Sequence, residues 1–344
     1  MKISIAMTTY NGEKYCLEQL ESLVDQKHKP CEIVIGDDGS QDRTIEIIEE
    51  FSKKIDIPIK LIRNSPGLGF AKNFFNVFMN CAGDWICFCD QDDVWFPNKI
   101  QKAVEVIHQK PDVNVIFQNS YICSYDLEVR GRKFPDRFSA GSYTKKSLPG
   151  IWIWPGFLQT IKRQPFQSFL KAHCDKNGQL DTCSWKSMAA HDYWISVIAN
   201  AIGGVEVLSE PVALYRRHDN AVTGAFENIG IKERLNISKK TGSDQYTRNS
   251  IIANDNSAYM KWLADKQSDV ELTHDLFLAA SKYERLARFY SVRSNIYSSR
   301  SMKQRIFYYI KALTINGYYY STRSFYQSLK SAAKDFGVVF KIFK

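Results

Sequence analysis

The sequence lacks long hydrophobic runs. Among its 344 residues, we find no stretch of the roughly 18 apolar residues that would predict a transmembrane helix. The N-terminal residues MKISIAMTTY lead directly into a strand pattern and lack the apolar stretch of a secretory signal peptide. We therefore expect the chain to begin folding at residue 1 and to stay in the cytoplasm. The composition, 44% hydrophobic and 24% charged, is that of a folded protein with one large domain or two smaller ones.

The eight cysteines show no paired spacing. There is no CxxC motif and no Cys/His cluster of the zinc-binding type. Cys87 and Cys89 share one face of a predicted strand, and the others are scattered. We expect reduced and mostly buried thiols, which is consistent with a cytosolic enzyme.

Most of the chain carries no net charge. Residues 271–344 contain 13 Lys and Arg against 4 Asp and Glu, so this segment carries the whole net charge of +9. The first 270 residues are neutral. The basic segment also contains many Tyr and Phe residues, a pattern that suits an amphipathic helix on an anionic bilayer. The alternative is a helix packed on the preceding part of the chain with a solvated basic face.

Short strands and helices of about ten residues alternate along the first part of the chain, which predicts a mostly parallel, doubly wound α/β sheet. Residues 126–150 have the composition of a long loop, a candidate lid over a site. Residues 227–256 give no clear pattern, and residues 257–340 are predicted to be helical. The predicted strands are 2–7, 32–36, 57–62, 85–89, 113–118 and 205–208, and the predicted helices of the first half are 13–26, 42–53, 70–80 and 96–109.

Three aspartates, Asp90, Asp92 and Asp93, follow the apolar run WICFC of the predicted strand 85–89. Open α/β sheets bind ligands at the carboxyl ends of their strands. Carboxylates held this close repel one another unless a cation lies between them. Oxygen ligands suit Mg²⁺ or Mn²⁺ bridged to a substrate phosphate. The segment therefore predicts a metal–diphosphate site, with a polar turn and an N-cap before Pro97 as the alternative.

Five fragments occur in one order along the chain, TTYNGEKY (8–15), EIVIGDDGSQDRT (32–44), CDQDDVW (89–95), AAHDYW (189–194) and YRRHDNAVTG (215–224). Their order and spacing resemble the family 2 glycosyltransferases of the GT-A fold, and among these the rhamnosyltransferase-like bacterial enzymes of surface polysaccharides. The resemblance implies a Rossmann-like GT-A domain over residues 1–226. Its nucleotide-sugar half would span about 1–110 and its acceptor half about 111–226. Residues 227–344 would form a basic, Tyr-rich helical extension.

The resemblance also implies a nucleotide-sugar site. Asp38 matches the carboxylate that accepts a hydrogen bond from the base N–H, while its neighbour Asp37 has the alternative role of a turn or cap residue. Lys72 follows a glycine-containing loop, where it would offset phosphate charge. The residues expected to bind the nucleotide sugar are Thr8, Thr9, Tyr10, Glu13, Asp38, Lys72, Asp90 and Gln91.

The catalytic residues follow from the same resemblance. Asp92 of the DxD motif would bind the metal, with Asp93 orienting the site. His218 would join it as a second metal ligand, although a structural role is the alternative for a lone histidine. Arg216 and Arg217 would pair with diphosphate oxygens. Asp192 would be the base that takes the proton of the acceptor hydroxyl, and a helix-capping role is compatible with this.

Residues on the acceptor side are implied by the WIWPGF and AHD segments. Aromatic faces suit sugar rings through apolar contact, but core packing is the competing interpretation and is preferred for at least one of the tryptophans. The expected acceptor-side residues are Trp152, Trp154, Gly156 and His191, with Phe157 in the same segment.

The resulting prediction is an inverting, metal-dependent transfer of one sugar from a UDP- or dTDP-linked donor to a saccharide acceptor. No Q-x-x-R-W sequence is present, which argues against processive synthesis. The resemblance implies a polyprenyl-diphosphate-linked acceptor of O-antigen, lipopolysaccharide or capsule, at the inner face of the cell membrane. No nucleic-acid motif accompanies the basic tail, and no nucleic-acid partner is expected. The sequence is silent on the oligomeric state.

Two alternatives belong to other functional classes. A sugar-1-phosphate nucleotidyltransferase would carry a glycine-rich, Arg-containing N-terminal loop where TTYNGEKY stands. A non-catalytic module could bind saccharide or nucleotide at a membrane, but loss of one acidic residue would then be expected, whereas Asp90, Asp92 and Asp192 are all present.

Overall fold

The structure, a computed structural model, describes residues 1–134, 140–145, 154–174, 190–217, 231–322 and 325–340. These residues fall into two compact units, one within residues 1–217 and the other within residues 231–340. The boundary predicted at residue 226 lies outside the described residues.

The first unit is a mixed α/β domain built on a ten-stranded sheet, with the strand order β3-β2-β1-β4-β9-β6-β10-β5 and with β7 and β8 attached to β6 and β10. The strands are β1 (Ile3–Thr9), β2 (Glu32–Asp37), β3 (Ile59–Arg63), β4 (Trp85–Cys89), β5 (Val94–Trp95), β6 (Val113–Cys123), β7 (Val129–Arg132), β8 (Gly141–Tyr143), β9 (Gln159–Lys162) and β10 (Gly204–Arg216). The helices are α1 (Cys16–Val24), α2 (Thr44–Ser52), α3 (Phe70–Asn80), α4 (Lys99–Gln109), α5 (Arg163–Ala172) and α6 (His191–Ile202), with a short 3₁₀ turn at Gly156–Leu158.

Strands β3, β2, β1 and β4 are parallel, and so are β6 and β10. Strand β4 is buried along its whole length, because helices cover both faces of a parallel sheet and the strand must then be apolar on both sides. The chain runs outward from β1 to β3 and then crosses to β4 on the other side of β1. This reversal of strand order opens a crevice at the carboxyl ends of β1 and β4, the place where such sheets bind ligands. The predicted α/β class with a helical C-terminal region is confirmed.

Several elements differ from the sequence prediction. The predicted loop 126–150 contains the edge strands β7 and β8, and the central strand β9 was missed altogether. Strand β9 has four residues and pairs antiparallel between β4 and β6, so it is too short for a periodic signal. Strand β10 is longer than the predicted 205–208. Its pairing register shifts on both sides of Pro211, and this irregularity hides the alternation of apolar and polar residues that would mark the whole strand in the sequence.

The described residues of the second unit form five helices, and these include residues 231–256, where no clear pattern was found in the sequence. Helices α7 and α8 pack along each other and bury Tyr259 and Leu286. The five helices are α7 (Ile231–Ala264), α8 (Val270–Ser298), α9 (Met302–Thr314), α10 (Gly317–Thr322) and α11 (Phe325–Val339). Among the described residues, none of the helices is both long enough and apolar enough to cross a bilayer. The seven cysteines of the described residues are free thiols.

Candidate active site

The acidic turn after β4 is tied to the end of β1. The Gln91 side chain donates through Nε2 to the Tyr10 carbonyl oxygen (3.0 Å), and its Oε1 accepts from the Tyr10 backbone N–H (2.9 Å). This reciprocal pair needs the glycine at position 12, because a Cβ there would lie 2.2 Å from Gln91 Oε1. Gln91, predicted to bind the nucleotide sugar, thus holds two loops of the site together through its amide.

Arg216, at the end of β10, holds the same turn from the other side. Its Nε donates to the Asp92 carbonyl oxygen (2.8 Å), and its backbone N–H donates to Asp93 Oδ1 (3.1 Å). The remaining nitrogens donate to the Tyr125 carbonyl oxygen and to the Glu18 carboxylate. The Arg216 side chain is 4% exposed. This differs from the predicted diphosphate contact, because the guanidinium is directed into the protein and not toward the crevice.

The carboxylates of the turn are crowded. Burial, together with the charges of Asp92 and Asp192, raises the pKa of Asp90 to about 8. Asp93 is fully buried. Its pKa is raised well above the ordinary value, mainly by burial and further by repulsion from Asp92 and Asp90. Such values mean that the charged forms are short of compensating positive charge at this edge of the sheet. A cation would relieve this repulsion.

One buried cation lies beneath the turn. Lys99 is fully buried, its Nζ donates to Gln118 Oε1 (2.9 Å), and it lies 4.6 Å from the centre of the Trp95 ring. Burial lowers the pKa of Lys99 to about 8. Lys99 offsets part of the Asp93 charge from the interior of the protein. On the crevice side of the turn, positive charge would come from a ligand.

Asp37 and Asp38 have separate roles in the structure. Asp37 is buried and accepts hydrogen bonds from Thr9 Oγ1 (2.7 Å) and from the Ser40 N–H (2.8 Å) and hydroxyl (2.6 Å). It therefore fixes the turn after β2, the alternative role given above. Thr9, predicted to bind the nucleotide, is 2% exposed and serves the same turn.

Asp38 lies in the wall of an open pocket of about 530 Å³, together with Tyr10, Asn64 and Gly67. Its carboxylate accepts from the N–H groups of Leu68 (2.6 Å) and Gly69 (2.8 Å) and from Asn64 Nδ2 (3.1 Å). The carboxylate thus organises the loop before α3. Tyr10 is 57% exposed at the mouth of this pocket, where its ring is available for stacking.

Asp192 lies in the first turn of α6, and its Oδ1 accepts from the Tyr193 N–H (2.7 Å). Burial raises its pKa. Asp192 adds to the repulsion on Asp90, so the tip of β4 and the start of α6 meet in one electrostatic site. Asp90 and Asp192, about a hundred positions apart in the sequence, therefore interact in the folded chain.

His191 is packed beneath Asp192. Its ring stacks on Phe74 (centroids 3.7 Å apart) and meets the Phe88 ring edge-on (5.0 Å). Neither ring nitrogen has a hydrogen-bond partner among the described residues. Burial lowers the pKa of His191 to about 3, so the ring is neutral at pH 7. An acceptor contact was predicted, but the structure gives His191 a packing role under the first turn of α6.

The other predicted acceptor-side residues have mixed outcomes. Trp154 is 1% exposed, stacks on Phe117 and Phe134, and donates from Nε1 to the Gln118 carbonyl oxygen (2.7 Å). It is therefore a core residue, because no face of its ring is left for a sugar. Gly156 is buried against His191, where a Cβ would lie 2.0 Å from Nε2. Trp152 and His218 lie outside the described residues.

The remaining predicted residues are placed around the crevice. Thr8 and Lys72 are half-buried, at the end of β1 and in the first turn of α3. The Glu13 carboxylate accepts from the Arg43 N–H (3.0 Å) and so supports the start of α2. Arg217 donates from Nη1 to the Tyr215 hydroxyl (3.0 Å).

Sequence reasoning missed three partners. Glu18 and Tyr125 hold Arg216, and Asn64 holds Asp38. Glu18 looks like an ordinary polar position of an amphipathic helix, and the Tyr125 contact uses only its backbone oxygen. No local signal marks such residues, since their roles depend on contacts between distant segments.

The acidic turn has the side chains that a divalent cation shared with a substrate requires. Among the described residues, no three His, Cys, Asp or Glu side chains are close enough to hold a metal by themselves. Mg²⁺ and similar ions are usually held by one or two carboxylates, with substrate phosphates and water completing the shell. Asp90 and Asp92 supply such a pair, and a cation would offset the carboxylate repulsion that contributes to the raised pKa of Asp90. The residues fit a metal whose coordination is completed by the substrate.

Comparison with known proteins agrees with this geometry. Residues 4–170 match the profile of glycosyl transferase family 2. The dTDP-rhamnosyl transferase RfbG of Shigella flexneri is 29% identical over 269 residues, which cover 71% of this chain and 88% of that protein. An uncharacterized glycosyltransferase of Nostoc sp., alr2836, is 28% identical over 63% of this chain and 65% of its own length.

A likeness to solved structures concerns the fold. The crystal structure of S. aureus TarS 1-349 in complex with UDP has a TM-score of 0.51 and 19% sequence identity, with 95% of this chain and 92% of that chain covered. Together with the family match and the strand order around β1 and β4, this establishes the architecture. The chain contains a glycosyl transferase family 2 domain, matched over residues 4–170, and is a glycosyltransferase.

Proposed function

We propose that the protein transfers one sugar from a nucleotide sugar to a saccharide hydroxyl, with inversion at the anomeric carbon and with the aid of a divalent cation. The observation that supports this proposal is that the charges of Asp92 and Asp192 both act on Asp90, which directly follows β4. Two of these carboxylates suit a metal–diphosphate, and the third suits a proton acceptor.

The donor nucleotide is assigned to the pocket beside Asp38. The Tyr10 ring is exposed there for stacking. Asp38 Oδ2 accepts a hydrogen bond from the Gly69 N–H and has the capacity to accept another from a base N–H. Uracil and thymine both offer such a donor. The name of the S. flexneri relative supports a dTDP-linked rhamnose as the first donor to test, before UDP-linked sugars.

The chemical step is assigned to Asp192. Its carboxylate takes the proton of the acceptor hydroxyl while that oxygen attacks the anomeric carbon from the face opposite the diphosphate, and the bond from this carbon to the diphosphate oxygen breaks. Asp92, with Asp90, would hold Mg²⁺ or Mn²⁺, which neutralises charge on the departing diphosphate. His191 packs under Asp192, and Arg216 positions the acidic turn. Arg217 and Lys72 are left as the candidates for diphosphate contacts.

The acceptor is proposed to be a lipid-linked saccharide, polyprenyl-diphosphate-bound, of O-antigen or capsule. The resemblance of the five fragments to surface-polysaccharide enzymes supports this, and so does the basic, aromatic C-terminal segment. The enzyme would then act at the inner face of the cell membrane. The absence of a Q-x-x-R-W sequence supports the addition of one sugar per encounter.

The proposal is tested with a panel of nucleotide sugars, with and without Mn²⁺ or Mg²⁺, read as release of the nucleoside diphosphate. Asp92→Ala and Asp192→Asn are compared with Asp56→Asn, an exposed aspartate between α2 and β3 that serves as the matched control. We expect one donor to be turned over, with loss of turnover on chelation and in both site variants.

Nuclear magnetic resonance of the product would show the anomeric configuration and so test inversion. Retention of configuration, or activity that persists in Asp192→Asn, would contradict the role given to Asp192. Metal-independent turnover would contradict the role given to Asp90 and Asp92.

A further inference from the structure

Helix α9 exposes its large apolar residues. Met302, Phe307, Ile310 and Leu313 are between 47% and 60% exposed, whereas the small residue Ala312 is fully buried. A helix on the surface of a globular protein normally buries its large apolar side chains and exposes polar ones. This helix therefore carries an apolar strip that nothing within the described residues covers.

Helix α11 continues the strip. Leu329, Phe336 and Phe340 are spaced by seven and four residues, which places them on one side of the helix, and each is more than a third exposed. The Tyr309 ring of α9 meets the Phe336 ring edge-on (6.0 Å), and Phe336 contacts Phe340 (4.5 Å). The two helices thus form one surface, the α9/α11 face, made of Met302, Phe307, Ile310, Leu313, Leu329, Phe336 and Phe340.

The segment that carries this face is strongly basic. Residues 300–344 contain nine Lys and Arg and one acidic residue, Asp335. Asp335 is fully buried and paired with Arg293, so it gives the surface no negative charge. Lys303, Lys311 and Lys330 are exposed on the same two helices. A partner for this face must accept both apolar side chains and several cations.

We propose that the α9/α11 face binds an anionic lipid bilayer, with its aromatic and aliphatic residues in the interface and its lysines at the headgroups. A second copy of the chain would bring the same positive charge to the contact, which disfavours self-association. Helices of 13 and 15 residues would lie along the surface and not cross it. The choice of a membrane rests on the proposed lipid-linked acceptor, but the binding itself does not require turnover.

The test is sedimentation of the full chain with vesicles of phosphatidylcholine alone and of phosphatidylcholine with phosphatidylglycerol. Phe307→Ser/Ile310→Ser removes part of the strip, and Lys303→Gln/Lys311→Gln removes two cations. Ile251→Ser/Val270→Ser, at two exposed apolar residues on other helices, is the matched control. We expect binding to the anionic vesicles to weaken about tenfold or more in each of the first two variants, and to remain unchanged in the control.

Nucleoside diphosphate release from the donor is measured in the same variants and should equal that of the unmodified chain. Loss of vesicle binding with turnover retained therefore tests the face separately from the transfer reaction. Equal binding to neutral vesicles, no binding to either kind, or equal losses in the control variant would overturn the proposal. A shift in oligomeric state that Phe307→Ser/Ile310→Ser abolishes would identify a second copy as the occupant instead.

Discussion

The Arg216 Nε lies 2.8 Å from the carbonyl oxygen of Asp92. The last residue of β10 is thus bonded to the backbone of the acidic turn more than a hundred positions earlier in the chain. Because the side chain is 4% exposed and also reaches Glu18 and Tyr125, it holds the backbone of the acidic turn at Asp92 in place.

Replacing Arg216 should loosen the acidic turn without removing a ligand. In Arg216→Lys the positive charge remains, but the planar set of donors is lost. We expect turnover to fall by roughly 10- to 100-fold and Mn²⁺ binding, measured calorimetrically, to weaken in parallel. Arg43→Lys, at a 67% exposed arginine side chain, is the control and should behave as the unmodified protein. Lower turnover with unchanged metal binding would argue against a positioning role.

Asp192→Asn should remove activity and leave the fold intact. General base catalysis is worth about 10²–10⁴-fold, so we expect a loss of that size. Burial raises the pKa of Asp192 above its ordinary value of 3.8. A base must be ionised, so the activity of the unmodified enzyme should fall as pH drops through this raised pKa.

That acidic limb should be absent from the residual activity of Asp192→Asn. Since folding raises the pKa of Asp192, its ionisation favours the unfolded state, and the variant should have an equal or higher melting temperature at pH 7. A melting temperature well below that of Asp56→Asn would indicate misfolding as the cause of the lost activity.

Acid should destabilise the first unit through His191. Burial lowers the pKa of His191 from 6.5 to about 3, so between these values the unfolded chain binds a proton that the folded chain does not. The stability it contributes is therefore present above pH 6.5 and is lost as pH falls toward 3, at up to roughly 1.4 kcal/mol per pH unit. Urea unfolding at several pH values would measure this slope.

His191→Leu should lower the pH dependence of the free energy of unfolding by the contribution of one proton, because leucine has a similar volume and does not titrate. His108→Leu, at an exposed position of α4, is the control. An unchanged slope in His191→Leu would show that the ring is more accessible to protons than its packing between Phe74 and Phe88 indicates.

The second unit should depend on a buried ion pair. Arg293 donates to both oxygens of Asp335 (2.7 and 2.8 Å), and the hydroxyls of Tyr297 and Tyr318 donate to the same carboxylate (2.8 and 2.7 Å). Arg293→Met would leave the carboxylate buried without its cation, at a cost of about 3–5 kcal/mol. Hydrogen exchange of α8 and α11 would report this loss.

The double variant Arg293→Met/Asp335→Leu should lose less stability than Arg293→Met alone, since it leaves no buried charge. Lys261→Gln, which breaks the exposed pair with Glu284, should cost less than about 1 kcal/mol. Equal losses in the single and double variants would mean that packing around Arg293, and not its charge, stabilises the helices.

Much of the fold was predictable because its signals are local. The apolar runs ISIAM of β1 and WICFC of β4 form buried strands. The acidic cluster follows WICFC and marks the end of β4. Strand β9 and the edge strands β7 and β8 were missed, since each has four residues or fewer and takes its structure from its neighbours. Helix α7 was not predicted over residues 231–256, where the sequence is polar and shows no clear apolar stripe.

The candidate site was predicted by residue type and corrected by geometry. Asp90, Asp92 and Asp192 were predicted from ordered motifs; the charges of Asp92 and Asp192 act on Asp90 in the structure, and the roles of the three stay predictions. Trp154 and His191 were predicted to lie on the acceptor side, but both are enclosed by aromatic rings. Arg216 was read as a diphosphate ligand, although its acceptors are protein oxygens.

The family, the alternation of strands and helices and the clustering of acid after β4 can all be recognised in adjacent or regularly spaced residues. Which of the predicted polar groups face the crevice, and which make their hydrogen bonds inside the protein, depends on how the chain folds. The physical reason is that a hydrogen bond such as that from Arg216 to Asp92 depends on distances between segments far apart in the chain. Those distances are set by the order and twist of the sheet.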